Sequence, residues 1–246
     1  MHATMRLAMV VAWLALALIL HGSWRLVRAP SPWPRLFLGG VAWLFGARAR
    51  VVGTPLRRDV VFLANHLSWM DILLLAGASG TAFVAKAELR AVPLIGWLCT
   101  LNRTIFVRRG DRMAVAGQVA QLRDALGQAW AVTIFPEGTT GDGATLLPFK
   151  ASLLAALDPP PPGLRVQPVR IDYGAATREL AWVGDEPGQD HAMRVLRRRG
   201  TFRARMTFLD PFDPAGMDRK AIAAAARARI EAAGPRPNSI AGHRDP

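Results

Sequence analysis

A histidine and an aspartate five positions apart are the residues of this sequence best suited to chemistry, within Asn65-His66-Leu67-Ser68-Trp69-Met70-Asp71. Near neutral pH a histidine can accept a proton from a hydroxyl group. A carboxylate beside it can hold the ring and stabilise the imidazolium that forms. The spacing therefore predicts a general base, His66, with Asp71 as its orienting partner.

The elements around this pair also allow a purely structural interpretation. Val60 to Ala64 is typical of a short buried strand and Asp71 to Ala76 of an apolar helix, so His66 is expected at a strand-to-helix turn. Ser68 and Asp71 have the N-cap and N3 spacing of a capping box, with Asp in place of the usual Glu or Gln. On these residues alone, catalysis and helix capping both remain open for Asp71.

A further segment, Phe135-Pro136-Glu137-Gly138-Thr139-Thr140, follows about seventy residues later. Together the two segments resemble the motifs of the glycerolipid acyltransferase family, and two more blocks follow the family's order. These blocks are Thr104-Ile105-Phe106-Val107-Arg108-Arg109-Gly110 and Val166-Gln167-Pro168-Val169-Arg170-Ile171, and the stretch Ala85 to Gly96 also looks familial. The resemblance spans roughly residues 50 to 210 and is close to the bacterial 1-acylglycerol-3-phosphate acyltransferases.

The resemblance implies a reaction. A fatty acyl group would move from acyl-CoA or acyl-carrier protein, each a co-substrate, to the 2-hydroxyl of 1-acylglycerol 3-phosphate, and the product would be phosphatidic acid. No cofactor is implied. Another lysolipid, such as lyso-ornithine lipid, is the alternative acceptor, because family members that act on it share these motifs. His66 would deprotonate the hydroxyl group and Asp71 would orient His66.

The resemblance also implies an acceptor site. Six residues are predicted to contact the substrates: Arg108, Arg109, Glu137, Gly138, Thr139 and Lys150. Arginine suits phosphate because its planar fork donates in pairs. The family often has an acid before this arginine, where the chain has Arg108, so the register of Arg108 and Arg109 stays open. Glu137 can accept from the acceptor or anchor its loop, and Lys150 can pair with phosphate or with Glu137.

Composition argues against several other kinds of site. The chain of 246 residues has one cysteine, Cys99, so it has no internal disulfide, and the apolar neighbours of Cys99 favour a packed thiol over a nucleophile. The five histidines have no zinc-ligand spacing with one another or with Cys99, so no metal site is predicted. Phosphate-loop, dinucleotide-binding and nucleophile-elbow motifs are also absent from the sequence.

The net charge of +13 indicates a polyanionic partner, either nucleic acid or the anionic head groups of a bilayer. The arginines lack interleaved aromatic residues, which argues against a nucleic-acid module. A noncatalytic membrane-surface binding protein is the alternative from another functional class. An intact His66/Asp71 pair argues against it, since a pure binder has no use for a base.

Residues 1–47 are predicted to form a membrane-embedded helical hairpin. Leu7 to Leu20 lacks polar side chains but is shorter than the about 20 residues of a full span, so a tilted span and a helix within one leaflet both remain open. Prolines then break the chain before a second apolar stretch, Leu36 to Ala47. A cleaved signal peptide is the competing interpretation, but no small-x-small site precedes the arginines.

The arginines beside the first apolar stretch predict its orientation. Arg25, Arg28 and Arg35 follow the stretch, whereas Arg6 alone precedes it. Because positive residues favour the cytoplasmic side, the catalytic domain is expected on the cytoplasmic side of the inner membrane.

Strand-like runs alternate with helical patterns between residues 48 and 210, which predicts an α/β fold with a largely parallel central sheet flanked by helices. The predicted strands are Ala49 to Val52, Val60 to Ala64, Ala82 to Ala85, Thr104 to Val107, Ala131 to Phe135, Arg165 to Tyr173, Thr201 to Leu209 and, more weakly, Ala181 to Val183. Further helices are predicted over Arg112 to Trp130, Phe149 to Leu157 and Met217 to Ala233. Residues 48–233 are assigned to the catalytic domain and residues 234–246 to a disordered tail.

Overall fold

The computed structural model describes residues 2–107, 115–128 and 131–234. The strands in these ranges are β1 (Ala47–Val52), β2 (Val60–Ala64), β3 (Ala82–Lys86), β4 (Ile105–Val107), β5 (Ala131–Ile134), β6 (Arg165–Asp172) and β7 (Phe202–Phe208). The α-helices are α1 (Ala3–Leu26), α2 (Trp33–Leu44), α3 (Met70–Ser79), α4 (Ile95–Leu101), α5 (Val115–Gly127), α6 (Thr177–Leu180), α7 (Gly188–Arg197) and α8 (Arg219–Ala232). Short 3-10 segments lie at Ala87–Ala91, Ala151–Leu157 and Gly174–Ala176.

In the described ranges the seven strands form one sheet in the order β1-β7-β6-β2-β5-β3-β4. β6, β2, β5, β3 and β4 run parallel to one another. β7 is antiparallel to β6, and β1 is parallel to β7. The carboxyl ends of the first group therefore meet the amino ends of β1 and β7 at one edge, here called the carboxyl edge. The predicted α/β fold with a largely parallel sheet is confirmed.

Apolar side chains cover both faces of the sheet. On one face, Phe62 of β2 lies in a core that includes Leu74 of α3. On the other face, Val61 of β2 lies in a second core that includes Ile222 of α8. Because successive strand residues point to opposite faces, a strand buried on both sides reads as a continuous apolar run, as β2 does.

The weaker prediction, of a strand over Ala181 to Val183, is wrong. This segment directly follows α6 and forms no strand. The Trp182 amide does donate to the Leu67 carbonyl at 2.8 Å, but the Trp182 ring stacks on His191 of α7, with 5.3 Å between ring centroids. The apolar run therefore serves packing against a helix instead of strand pairing.

The helix predicted over Phe149 to Leu157 is instead a 3-10 segment, Ala151–Leu157, with a kink at Leu154. A 3-10 turn has three residues, so it aligns Leu154 and Leu157, and both are buried in the second core. The predicted helix at Met217 to Ala233 is confirmed as α8. Only the Val115 to Gln128 part of the predicted Arg112 helix is described, where it forms α5. The predicted tail lies outside the described residues from position 235 onward.

α1 is longer than the apolar run that predicted it. Its 24 residues and mean hydropathy of 2.1 make it long and apolar enough to cross a membrane. One side of α1 nevertheless packs on the rest of the chain. Trp13 Nε1 donates to the Phe37 carbonyl at 3.1 Å, and the buried Arg6 donates to the carbonyls of Leu196, at 3.0 Å, and Arg198 beside the end of α7.

α2 packs in the same core as β2 and α3. It begins at Trp33, earlier than predicted, because Pro34 is tolerated in a first helical turn. It ends at Leu44 since β1 starts at Ala47. A Cβ atom on Gly39 would lie 3.3 Å from Cα of Gly77 in α3, so glycine permits a close helix contact. The domain boundary after residue 47 stays a prediction, although the packing of α2 does not follow it.

Candidate active site

His66 and Asp71 meet at the carboxyl edge of the sheet, in the turn between β2 and α3. Nδ1 of His66 lies 2.8 Å from Oδ2 of Asp71. The Asp71 side chain is fully buried, whereas 18% of the His66 side chain is exposed. The ring of His66 stacks on Phe135, with centroids 3.9 Å apart. When Nδ1–H donates to the carboxylate, Nε2 carries the lone pair that can accept a proton from a substrate.

Asp71 also organises the turn itself. Its Oδ2 accepts from the Leu67 amide at 2.6 Å and from the Ser68 amide at 3.0 Å. The Ser68 hydroxyl in turn accepts from the Met70 amide at 3.0 Å. The capping interpretation and the orienting interpretation of Asp71 are therefore compatible, because one carboxylate oxygen holds both the helix start and the His66 ring.

Tyr173 completes the support of Asp71 and was not predicted as a site residue. It is the only tyrosine of the chain. It lies buried just after β6 and donates its hydroxyl to Oδ1 of Asp71. Burial and the neighbouring carboxylate raise the pKa of Tyr173 well above its ordinary value, so the hydroxyl remains a donor. The sequence places Tyr173 at the end of a predicted strand, but the pairing of that strand with β2 is visible only in the structure.

Asn65 fixes the relation between these two strand ends. Its side-chain amide donates to the Ile171 carbonyl at 3.0 Å, and its oxygen accepts from the Ile171 amide at 2.7 Å. The side chain thus continues the β2–β6 ladder by one step. Tyr173, two residues further along, is held opposite Asp71 as a result.

Glu137 anchors the backbone of His66. It is almost fully buried in the loop after β5. Its Oε1 accepts from the His66 amide at 2.8 Å, and its Oε2 accepts from the Leu147 amide at 3.0 Å. The Gly141 amide also donates to the His66 carbonyl at 2.8 Å. Burial raises the pKa of Glu137, an effect that the amides of His66 and Leu147 oppose. The anchoring interpretation of Glu137 has direct support, and a contact with substrate stays a prediction.

The other predicted substrate-binding residues lie around this loop or outside the described chain. Gly138 has a φ of +71°, a conformation that favours glycine, and a Cβ atom there would lie 3.2 Å from Nζ of Lys150. Thr139 and Lys150 are exposed beside it. Arg108 and Arg109 follow β4 but lie outside the described residues. Their contact with the acceptor stays a prediction.

The sequence also led to expectations for Cys99 and for metal binding. Cys99 is half-buried and burial raises its pKa, which fits a packed thiol better than a nucleophile. In the described part of the chain, no group of three or more His, Cys, Asp or Glu side chains is placed to hold a metal ion.

This arrangement can support transfer of a group to a hydroxyl. The base has one free nitrogen, the other nitrogen is held by a buried carboxylate, and the backbone of the base is fixed by a second carboxylate. Such preorganisation keeps His66 in one tautomer and one orientation. General-base catalysis needs a substrate hydroxyl within hydrogen-bond reach of Nε2.

Comparison with known proteins agrees with this chemistry. Residues 48–172 match the family model described as Acyltransferase. A lyso-ornithine lipid O-acyltransferase from Brucella abortus is 34% identical over 94% of this chain and 95% of its own length. Another, from Pseudomonas aeruginosa, is 37% identical over 75% of this chain and 71% of its own. A 1-acyl-sn-glycerol-3-phosphate acyltransferase from Neisseria gonorrhoeae is 33% identical over 46% of this chain and 44% of its own.

The fold has a counterpart among solved structures. The crystal structure of the 1-acyl-sn-glycerophosphate acyltransferase PlsC from Thermotoga maritima superposes with a TM-score of 0.61, covering 95% of this chain and 98% of that one. Its sequence identity is 22%, so the likeness concerns the fold. The matched family region contains both the His66/Asp71 pair and the Glu137 loop, and on this evidence the chain belongs to the acyltransferase family.

Proposed function

We propose that this acyltransferase O-acylates a lyso-ornithine lipid. The observation that carries the proposal is the relative from Brucella abortus, whose similarity extends over nearly the whole of both chains. The similarity to the Neisseria gonorrhoeae enzyme covers less than half of either chain. Acylation of 1-acylglycerol 3-phosphate, the acceptor implied by the motifs, is therefore the second candidate.

The chemistry is the same for either acceptor. Nε2 of His66 accepts the proton of the acceptor hydroxyl as its oxygen attacks the thioester carbonyl carbon. The tetrahedral intermediate collapses, the carbon–sulfur bond breaks, and the thiolate takes the proton back from the imidazolium. Asp71 stabilises that imidazolium through the Nδ1 hydrogen bond of 2.8 Å. A thioester needs no covalent acyl-enzyme, because positioning and base catalysis suffice for this step.

The predicted acceptor site fits either head group in part. The fork of Arg109, or of Arg108 in the alternative register, would bind a carboxylate of ornithine as well as a phosphate. Gly138, Thr139 and Lys150 lie on the same rim as His66 and would contribute to this site. The difference between the acceptors is charge, because ornithine also carries an ammonium group and phosphate does not.

Membrane attachment is proposed through the outward side of α1. Apolar residues stand exposed along it: Met5, Leu7, Met9, Val11, Leu16 and Ile19. Arg6 near one end of α1 contacts α7, and His21 near the other end bonds Ser31 at 2.7 Å. Because both ends are held to the same protein body, a helix lying within one leaflet fits better than a full span. The catalytic domain would then lie on one side, the cytoplasmic side in our proposal.

Substitution of Leu16 and Ile19 by lysine tests this attachment. Deletion of residues 1–47 is a poor test, because it removes core side chains of α2. Lysines oppose insertion yet strengthen attraction to anionic lipid, so the double variant should bind vesicles less well if apolar burial holds the protein. Stronger binding of the variant would show that electrostatic attraction dominates.

The acceptor is tested with purified protein, one acyl-CoA and a panel of lysolipids, with products identified by mass. We expect kcat/KM for lyso-ornithine lipid to exceed that for 1-acylglycerol 3-phosphate by at least about tenfold, a difference of about 1.4 kcal/mol in transition-state binding. Phosphatidic acid as the main product would favour the second candidate. A folded preparation that acylates other lysolipids of the panel but neither of these two would exclude both proposed acceptors.

A further inference from the structure

Two neighbouring strands at the end of the sheet present arginines in matched positions. In the parallel pairing of β1 with β7, Arg48 lies opposite Arg203 and Arg50 opposite Arg205. The alternate residues of β7, such as Ala204 and Met206, are buried in the core shared with α2 and α3. Since successive strand residues point to opposite faces, Arg50, Arg203 and Arg205 project from the face turned away from α2 and α3. Arg48, at the start of β1, leaves the sheet on the same face but reaches the exposed Trp43 at the end of α2. We call this surface the arginine face; it consists of Arg48, Arg50, Arg203 and Arg205.

The charges of the arginine face have no ionic partners within the described residues. All four side chains belong to exposed residues, and none takes part in the ion pairs found in those ranges. Arg48 stacks over the Trp43 ring at 4.7 Å. Asp172 lies opposite Arg205 in β6, but its Oδ1 accepts from the Gly174 amide at 2.7 Å. Like charges placed side by side on a sheet disfavour folding, so a ligand of opposite charge would reduce the repulsion between these arginines.

The position of the arginine face limits the kind of ligand. α2 and α3 cover the other side of the sheet, and α1, with its outward apolar residues, packs on α2. A protein attached to the bilayer through α1 would turn the arginine face toward water. The face also begins at the carboxyl edge, where His66 lies, because Arg48 and Arg203 stand near the amino ends of β1 and β7. A soluble acidic partner that delivers substrate to the carboxyl edge fits this location better than a lipid surface.

We propose that the arginine face docks an acidic acyl-carrier protein and so presents its acyl thioester to His66. The inference rests on the proposed function, because it concerns the donor of the same reaction. Charge complementarity across an exposed interface chiefly raises the association rate and orients the encounter. The arginine face would therefore distinguish a protein-bound acyl donor from acyl-CoA, whose phosphates are confined to one small molecule.

The test compares two charge-reversal variants of the full-length protein with two donors. Arg50→Glu/Arg205→Glu alters the centre of the arginine face and keeps Arg48 on Trp43. Arg58→Glu/Arg219→Glu is the matched control, since it makes the same charge change at exposed positions before β2 and at the start of α8. Each variant is assayed with a holo acyl-carrier protein thioester and with acyl-CoA of the same chain, and binding of the holo carrier protein is measured separately.

We expect Arg50→Glu/Arg205→Glu to raise KM for the carrier thioester at least about tenfold and to weaken carrier binding equally, while KM for acyl-CoA changes less than about twofold. The control should change neither value by more than about twofold. Raising salt from about 50 to about 300 mM should weaken the wild-type reaction with the carrier thioester more than that with acyl-CoA.

Several results would overturn the docking proposal while leaving the proposed function intact. One is an equal defect of the two variants, which would mean that only net surface charge matters. Another is a loss with both donors on anionic but not neutral vesicles, which would assign the face to lipid head groups. A wild-type protein that uses acyl-CoA but no carrier thioester would also overturn it. Failure of the wild-type protein with both donors would instead contradict the proposed function.

Discussion

Asp71→Asn separates the two functions of Asp71, because the structure dictates how asparagine must sit. Three N–H donors converge on Oδ2: His66 Nδ1 at 2.8 Å, and the amides of Leu67 and Ser68 at 2.6 and 3.0 Å. The asparagine oxygen must occupy that position, so its NH₂ group faces Tyr173. The tyrosine hydroxyl can rotate to accept from this NH₂ and can turn its own hydrogen toward the neighbouring Ser68 side chain. His66 thereby keeps its Nδ1–H tautomer.

The expected magnitudes follow from this geometry. Hydrogen bonds to a charged acceptor contribute about 1.5–3 kcal/mol and neutral ones about 0.5–1.5 kcal/mol, so the variant should lose about 1–3 kcal/mol of unfolding free energy. The carboxylate opposite the imidazolium contributes up to about 4 kcal/mol, for charges about 4 Å apart at an effective dielectric constant of about 20. Its loss should lower kcat by up to about 1,000-fold.

The assay combines kcat at saturating acceptor, thermal unfolding and ¹⁵N NMR of the His66 ring. Ser68→Ala is the matched control, because it removes the hydroxyl that accepts from the Met70 amide and leaves the backbone amides that bind the Asp71 carboxylate in place. It should cost about 1 kcal/mol of stability and leave kcat within about twofold. A folded Asp71→Asn protein with kcat within about tenfold of wild type would refute the electrostatic function. A neutral His66 protonated at Nε2 in that variant would refute the tautomer argument.

Three further predictions concern the groups around this pair. Tyr173→Phe leaves Oδ1 of buried Asp71 without its hydroxyl donor. The unfolding free energy should therefore fall by about 1–3 kcal/mol and kcat by about tenfold, with KM unchanged. An unaltered kcat would make the function of Tyr173 purely structural. Glu137→Gln turns an NH₂ group toward the amide of His66 or of Leu147, so one of these hydrogen bonds is lost. The steady-state rate of acyl transfer should fall, and the unfolding free energy should drop by about 1–3 kcal/mol. Wild-type values of both would disprove that Glu137 anchors the His66 backbone. Burial and the charge of Arg194 lower the pKa of His191 from 6.5, so the folded state prefers the neutral ring. The stability that this preference contributes is fully present above pH 6.5 and is lost as the pH falls through the lowered pKa. His191→Gln should therefore show a smaller fall in melting temperature between about pH 7.5 and about pH 5.5, and an equal fall would contradict this.

The sequence predicted the centre of the sheet because β2 and β5 are buried on both faces. Val60 to Ala64 is apolar throughout, and its short length and two valines favour a strand over a buried helix. The weak strand at Ala181 to Val183 was wrong because a short apolar run does not reveal whether it pairs or packs. The same ambiguity made the 3-10 segment Ala151–Leu157 read as an α-helix, since Leu154 and Leu157 suit either period.

The catalytic pair was also predictable, because His66 and Asp71 are close in sequence and their types specify the chemistry. The support of Asp71 was not, since Tyr173 lies about a hundred residues away and reaches Asp71 only through the pairing of β2 with β6. For α2 the apolar composition suggested lipid, whereas its inner side chains pack on α3. Burial in protein and burial in lipid select the same side chains, so only packing distinguishes them.

The most direct test of His66 as the general base is kcat for acyl transfer by His66→Ala, with products identified by mass. Asp71 keeps its contacts with Leu67, Ser68 and Tyr173 in this variant, so the turn should stay folded. If Nε2 of His66 is the general base, kcat should fall by about 100-fold to 10,000-fold while the melting temperature changes little. Near-normal turnover by a folded His66→Ala protein would contradict the assignment of His66 as the base.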